Sequence, residues 1–108
     1  MSPVDAYLQY LAAERRLSSH TVEAYRRDLA SLGQLTAGKP LAELTVGDIR
    51  GAIVRLRAQG LSATSVARHL SSWRGFYAFA CRRLGHTGNP CSGVRPPKAP
   101  SALPQALP

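Results

Sequence analysis

Two stretches of this chain set hydroxyls just ahead of arginines, with an imidazole close by. One is Ser18-Ser19-His20-Thr21 followed by Arg26-Arg27; the other is Ser62-Ala63-Thr64-Ser65 followed by Arg68-His69 and Ser72. These side chains suit a polyanion. Hydroxyls donate to phosphate oxygens, and an arginine fork fits phosphate or a guanine edge. A helix that starts at such a serine also turns unpaired backbone N–H groups and a positive dipole end toward an anion. Most hydroxyls at a helix start are only N-caps, and an isolated helical histidine is usually a solvated surface residue. The weight therefore rests on the cluster. Ser19, His20, Thr21, Arg26, Arg27, Ser65, Arg68, His69, Ser72 and Arg74 are the candidate contacts.

The charge distribution agrees with that reading. Residues 1–48 hold six acids against five basic residues, whereas residues 49–108 hold no Asp or Glu against nine basic ones, eight of them Arg. The net charge is +8. Each phosphate that such a surface neutralises releases counterions, so a nucleic acid is the natural partner. An anionic membrane fits less well, because no helix pairs a Lys/Arg face with a large apolar one.

Enzyme chemistry finds little here. There is no paired-carboxylate site, P-loop or nucleophile elbow. The residues three places after His20, His69 and His86 are Glu23, Ser72 and Asn89, so no His-x-x-Arg occurs. Cys81 and Cys91 flank His86 at spacings that match no common zinc pattern, and they read as reduced thiols. No metal or other cofactor is expected. All six acids precede residue 49, and most suit helix starts or solvated faces.

The elements that must carry these residues are helical. Val4, Tyr7, Leu8 and Leu11 predict a first helix over 4–16. Ser18 or Ser19 caps a second, whose stripe is Val22, Tyr25, Leu29 and Leu32, ending near Gly33 and followed by the Gly38-Lys39-Pro40 turn. Thr45-Val46-Gly47-Asp48 has capping-box spacing and opens a third helix, through Ile49, Ile53 and Leu56, that stops at Gly60. Ser62 opens the longest helix, with Val66, Leu70, Trp73, Tyr77, Ala80 and Leu84 on one line and Gly85 as its stop. Phe76 and Phe79 fall off that line and are expected to cover a second apolar contact. Trp73, Tyr77, Phe76 and Phe79 read as core or a docking surface, since base-stacking platforms normally sit on sheets.

Four helices with short connections imply an all-α bundle over residues 1–88. Residues 89–108 carry Pro90, Pro96, Pro97, Pro100, Pro104 and Pro108. That composition predicts an extended, semi-rigid linker leading to something absent from this chain. No stretch approaches the roughly 18 apolar residues of a membrane span, and the N-terminus lacks the features of a secretory signal. No membrane insertion is expected, and the expected address is the cytoplasm.

Leu17-Ser18-Ser19-His20-Thr21-Val22-Glu23-Ala24-Tyr25-Arg26-Arg27-Asp28-Leu29 resembles the N-terminal core-binding domain of tyrosine recombinases of the Xer branch. A second block, Gly60-Leu61-Ser62 with Ser65 through Tyr77, agrees, although Trp73 and Gly75 depart from the residues commoner there. A third, Asn89-Pro90-Cys91-Ser92-Gly93-Val94-Arg95-Pro96-Pro97-Lys98 with Leu103-Pro104, is similar to the interdomain linker of the XerC subfamily. The resemblance covers nearly the whole chain. It implies a four-helix SAM-like bundle that clamps one face of a recombination half-site through its second and fourth helices, for chromosome dimer resolution. The family's catalytic Arg, His-x-x-Arg and tyrosine have no counterpart here, so the implied enzyme activity belongs to a domain beyond Pro108. Implied partners are duplex DNA carrying a dif-like site, a sister XerD-type recombinase and a DNA translocase of the division septum. A phage or integron integrase arm would share the fold, and a SAM-like protein-interaction module would turn the basic face toward an acidic protein.

Overall fold

The computed structural model describes residues 2–97. Four α-helices and one short 3-10 turn account for its regular structure, with no strand among the described residues: α1 (Pro3–Ala13), α2 (Ser19–Leu35), the turn Leu41–Glu43, α3 (Val46–Ala58) and α4 (Ala63–Arg83). Each helix starts at a hydroxyl that accepts a backbone N–H three residues on: Ser2 from Asp5, Ser18 from Thr21, Thr45 from Asp48 and Ser62 from Ser65. These bonds satisfy N–H groups that have no partner inside the helix. At α3 the capping box is complete, because Asp48 Oδ2 accepts from Thr45 N at 2.9 Å. The Lys39 ammonium, donating to the same oxygen at 2.9 Å, and then the Thr45 N–H hold the Asp48 carboxyl below its ordinary range.

Two helix ends differ from the sequence expectation. α1 stops at Ala13, three residues early, because Arg16 adopts a left-handed φ of 54° and Leu17 N turns back to the Leu11 carbonyl at 3.1 Å. α2 runs past Gly33 to Leu35, which is buried; it stops where Ala37 adopts a left-handed φ of 57° and the Gly38 N–H turns back to the Gly33 carbonyl at 2.9 Å. Arg55 of α3 then donates to the Leu35 carbonyl at 2.7 Å, occupying an acceptor left open at the helix end.

α4 is the pillar of the bundle and packs against each of the other three helices. Its stripe of Val66, Leu70, Trp73, Tyr77 and Ala80 is buried, but Leu84, expected on the same line, is 37% exposed at the C-cap. Phe76 and Phe79 are buried as well, against α1, so the helix is covered over two faces. Tyr77 reaches through to donate to the Leu41 carbonyl at 2.7 Å, tying the 3-10 turn to the core.

The chain does not leave the bundle at residue 89. Cys91 and Val94 are buried members of the core cluster, and Arg74 Nη2 donates to the Val94 carbonyl at 2.9 Å. Asn89 Oδ1 accepts from Cys91 N at 2.9 Å, closing a tight turn that points the cysteine inward. Burial pushes the Cys91 thiol up to about 11, with Arg74 pulling partly the other way. The proline content thus places the start of the linker several residues before the packing ends. Residues 98–108 of the expected linker lie outside the described residues.

Candidate nucleic-acid interface

α2 and α4 lie side by side, and their N-terminal halves border a groove of about 370 Å³. His20, Thr21, Ala24 and Tyr25 form one wall, and Arg68, Ser71 and Ser72 the other, with Asp28 also on the lining. The hydroxyl-rich start of α2 is therefore brought beside Arg68 of α4, whereas the Ser62–Ser65 start of α4 is not on the lining. Of the candidate contacts, His20, Thr21, Arg68 and Ser72 line this groove; Ser19, Arg26, Arg27, Ser65, His69 and Arg74 do not.

Exposure divides the candidates further. Ser19, His20 and Thr21 are exposed at the first turn of α2, with the Thr21 hydroxyl 3.0 Å from that of Ser18, the cap. Arg27 is exposed, as is Arg26, which pairs with Glu23 at 3.3 Å. Ser65 is half-buried and accepts at its hydroxyl from Ser62. Arg74, also exposed as a residue, spends one N–H on the Val94 carbonyl and so belongs partly to the tail contact.

His69 and Ser72 correct the expectation of an open flank. Both are buried. The His69 ring donates through Nδ1 to the Ser65 carbonyl at 2.9 Å, since a carbonyl can only accept, and its Nε2 lies 3.5 Å from Asp28 Oδ1. Ser72 Oγ donates to Asp28 Oδ2 at 2.6 Å. His69 is thus turned into the bundle, and Ser72, though on the groove lining, spends its hydroxyl proton on Asp28. The flank faces α2 because α2 carries a polar group that needs these partners.

That group is Asp28, an acid for which the sequence raises no expectation of its own. Its side chain is 4% exposed. Oδ2 accepts from Arg68 Nη1 at 2.7 Å as well as from Ser72, while its backbone carbonyl accepts from Trp73 Nε1 at 2.8 Å. A buried carboxylate is costly unless paired and hydrogen-bonded, and α4 supplies both. A signal for it exists in the sequence. Asp28 falls three residues after Tyr25 and beside Leu29, on the apolar side of α2, where a lone acid needs a partner from another helix.

Arg68 differs from its partner in exposure. Its side chain is 55% exposed, and Nη1 is the only one of its nitrogens that donates to another described residue. A carboxylate fixed from within thus holds a guanidinium whose other N–H groups remain available at the edge of the groove.

Two comparisons place this chain among known proteins. A family model described as phage integrase, N-terminal SAM-like domain, matches residues 4–84. The chain is 46% identical to tyrosine recombinase XerC 1 of Ralstonia nicotianae, an alignment covering 96% of this chain and 33% of that protein. It is 41% identical to tyrosine recombinase XerC of Chromobacterium violaceum, over 94% of this chain and 34% of the relative. Against the XerC of Xanthomonas axonopodis pv. citri the identity is 39%, over 99% and 39%. The chain spans about a third of the length of the first of these curated relatives. No solved structure matches it.

Proposed function

The chain belongs to the family of phage-integrase N-terminal SAM-like domains, and on that premise we propose that it is the DNA-binding arm of a XerC-type tyrosine recombinase, gripping one face of a recombination half-site. The observation that carries this reading is the groove between α2 and α4, where the hydroxyl-rich start of α2 meets Arg68 and Ser71 of α4 on a chain with no acid after residue 48. Exposed Arg26 and Arg27 on α2, with the helix starts, supply phosphate contacts that set register. Base edges are met from the groove. Strand cleavage and rejoining belong to the two thirds of the relatives' length that this chain does not span. By the same reading the partners are a dif-like duplex, a XerD-type sister recombinase and a septal DNA translocase, and the role is chromosome dimer resolution. No helix among the described residues is long and apolar enough to cross a membrane.

Titration of the 108-residue chain against short duplexes at several salt concentrations tests this. The expected result is binding whose log affinity falls linearly with log salt, by about 0.9 for each phosphate neutralised. The chain should leave a nicked suicide duplex uncut. Affinity indifferent to salt, or no affinity for any duplex, overturns the proposal and favours an acidic protein partner.

A further inference from the structure

Arg68 is held in a way that a phosphate clamp does not need. A clamp works through uncompensated positive charge, and the counterions it releases scale with that charge. Here Asp28, 4% exposed, sits 2.7 Å from Arg68 Nη1 and offsets much of it. A carboxylate on a groove that meets DNA also repels phosphate. Such an arrangement weakens sequence-independent binding.

What the pairing supplies is geometry. Arginine loses considerable rotamer entropy when it is fixed, and its guanidinium is a rigid planar fork. Asp28 cannot swing out with it, because Ser72 Oγ holds the same carboxylate oxygen at 2.6 Å and the Asp28 carbonyl is bound by Trp73 Nε1 at 2.8 Å. The guanidinium is therefore set from the protein interior, while 55% of its side chain stays open. Two parallel N–H donors in a fixed plane match the O6 and N7 acceptors of guanine in the major groove, the pairing that benefits most from a pre-set fork. Arg26 makes the contrast. Its partner Glu23 is as exposed as itself, so that pair fixes nothing and leaves Arg26 suited to phosphate.

We propose that Asp28 and Arg68 form a buttressed base-reading pair: Asp28 is a positioning residue, and Arg68 forks onto a guanine edge, making it a specificity-determining residue of the arm. This rests on the DNA-binding reading above and names the feature of the duplex that the groove reads.

The test is selection of preferred duplexes from a random-sequence pool with the wild-type chain, followed by titration of the selected duplex and of one with that guanine replaced by 7-deazaguanine, which lacks the N7 acceptor. Wild type should select a guanine and lose about tenfold or more on the 7-deaza duplex. Arg68→Ala should lose a similar factor on the selected duplex and no longer distinguish the two. Arg68→Lys keeps the charge but not the fork, so the salt slope should stay while discrimination disappears. Asp28→Asn should also lose discrimination, with affinity for unrelated duplexes unchanged or higher because a negative charge is gone. Should Asp28→Asn fail to fold, as judged by its helical circular dichroism, the Arg68→Lys result decides alone. Uniform weakening of Arg68→Ala on every sequence, with the salt slope reduced by about one, would make Arg68 a phosphate contact and overturn the proposal. So would Asp28→Asn with discrimination intact. Absence of salt-dependent binding by wild type on any duplex is a different result and counts against the DNA-binding reading itself.

Discussion

α4 meets its neighbours along two seams of opposite character. Toward α1 the seam is aromatic: Tyr7 packs edge-on to Phe76 at 5.7 Å between ring centroids and tilted to Phe79 at 5.3 Å, and Tyr10 lies 5.0 Å from Phe79. Toward α2 the seam is polar at its outer edge, where Arg68, His69 and Ser72 gather around Asp28. The aromatic seam needs only area and shape, and many residue combinations could fill it. The polar seam works only as a set, since removing one member leaves a buried donor or acceptor without its partner. The first contributes packing alone. The second joins the same bundle while offering a charged group to solvent, which is why the candidate site lies there.

The largest effect that probes this contrast is expected at Trp73, which is 0% exposed and belongs to the polar seam through its bond to the Asp28 carbonyl. Trp73→Ala should cost about 3–5 kcal/mol in denaturant or thermal unfolding. It should also disturb the groove, because Asp28 loses the contact that fixes its backbone to α4. An unchanged midpoint would show that the polar seam does not depend on packing beneath it.

The difference between the seams also explains which features are legible in the sequence. The apolar stripes of α2, α3 and α4 and the four helix starts follow from spacing and local capping, which act within a few residues. Phe76 and Phe79 stand off the main stripe and so announce a second contact, though not its partners, Tyr7 and Tyr10. The Asp28 set is hidden because its members lie forty and more residues apart, and no local rule says that an acid on α2 meets Arg68 and Ser72 on α4. His69 and Ser72 have the right types for a DNA contact, and only the packing of α2 over them shows that they gather around Asp28 instead. Cys91 and Val94 are obscured by the surrounding prolines, which report local stiffness but not whether a segment docks.

A smaller effect is expected where the aromatic seam is tightest. A Cβ added at Gly75 would lie 2.7 Å from the Tyr7 hydroxyl oxygen, and the Tyr7 ring, buried among Tyr10, Tyr25, Phe76 and Phe79, has little room to retreat. Gly→Ala inside a helix gains about 0.5–1 kcal/mol from backbone entropy alone. Overpacking typically costs about 1–3 kcal/mol. The clash should win at Gly75, so Gly75→Ala lowers the unfolding midpoint. Gly51, inside α3, is the control: a Cβ there would meet nothing within 4 Å, and Gly51→Ala should raise the midpoint. Equal shifts at both would mean that α1 yields easily and the seam is not shape-limited.

The smallest effect should come from the other arginine–carboxylate pair that α4 makes across helices. Arg83 Nη2 lies 3.2 Å from Glu14 Oε1 and its guanidinium carbon 5.3 Å from the Tyr10 ring centroid, at the rim of the aromatic seam. Both side chains are about half exposed, 49% and 56%, so water and salt screen the pair where Asp28 is shielded. The hydrogen bond to Glu14 raises the already high Arg83 pKa, which leaves its charge unaltered at any ordinary pH. Glu14→Gln should therefore shift the midpoint slightly in low salt and not at all in high salt, and it should leave DNA discrimination untouched. Asp28→Asn, by contrast, should keep its effect on discrimination at every salt concentration that still permits binding, because the contact it removes lies inside the protein. A salt-sensitive Asp28→Asn effect beside a salt-insensitive Glu14→Gln effect would invert the assignment of the two pairs.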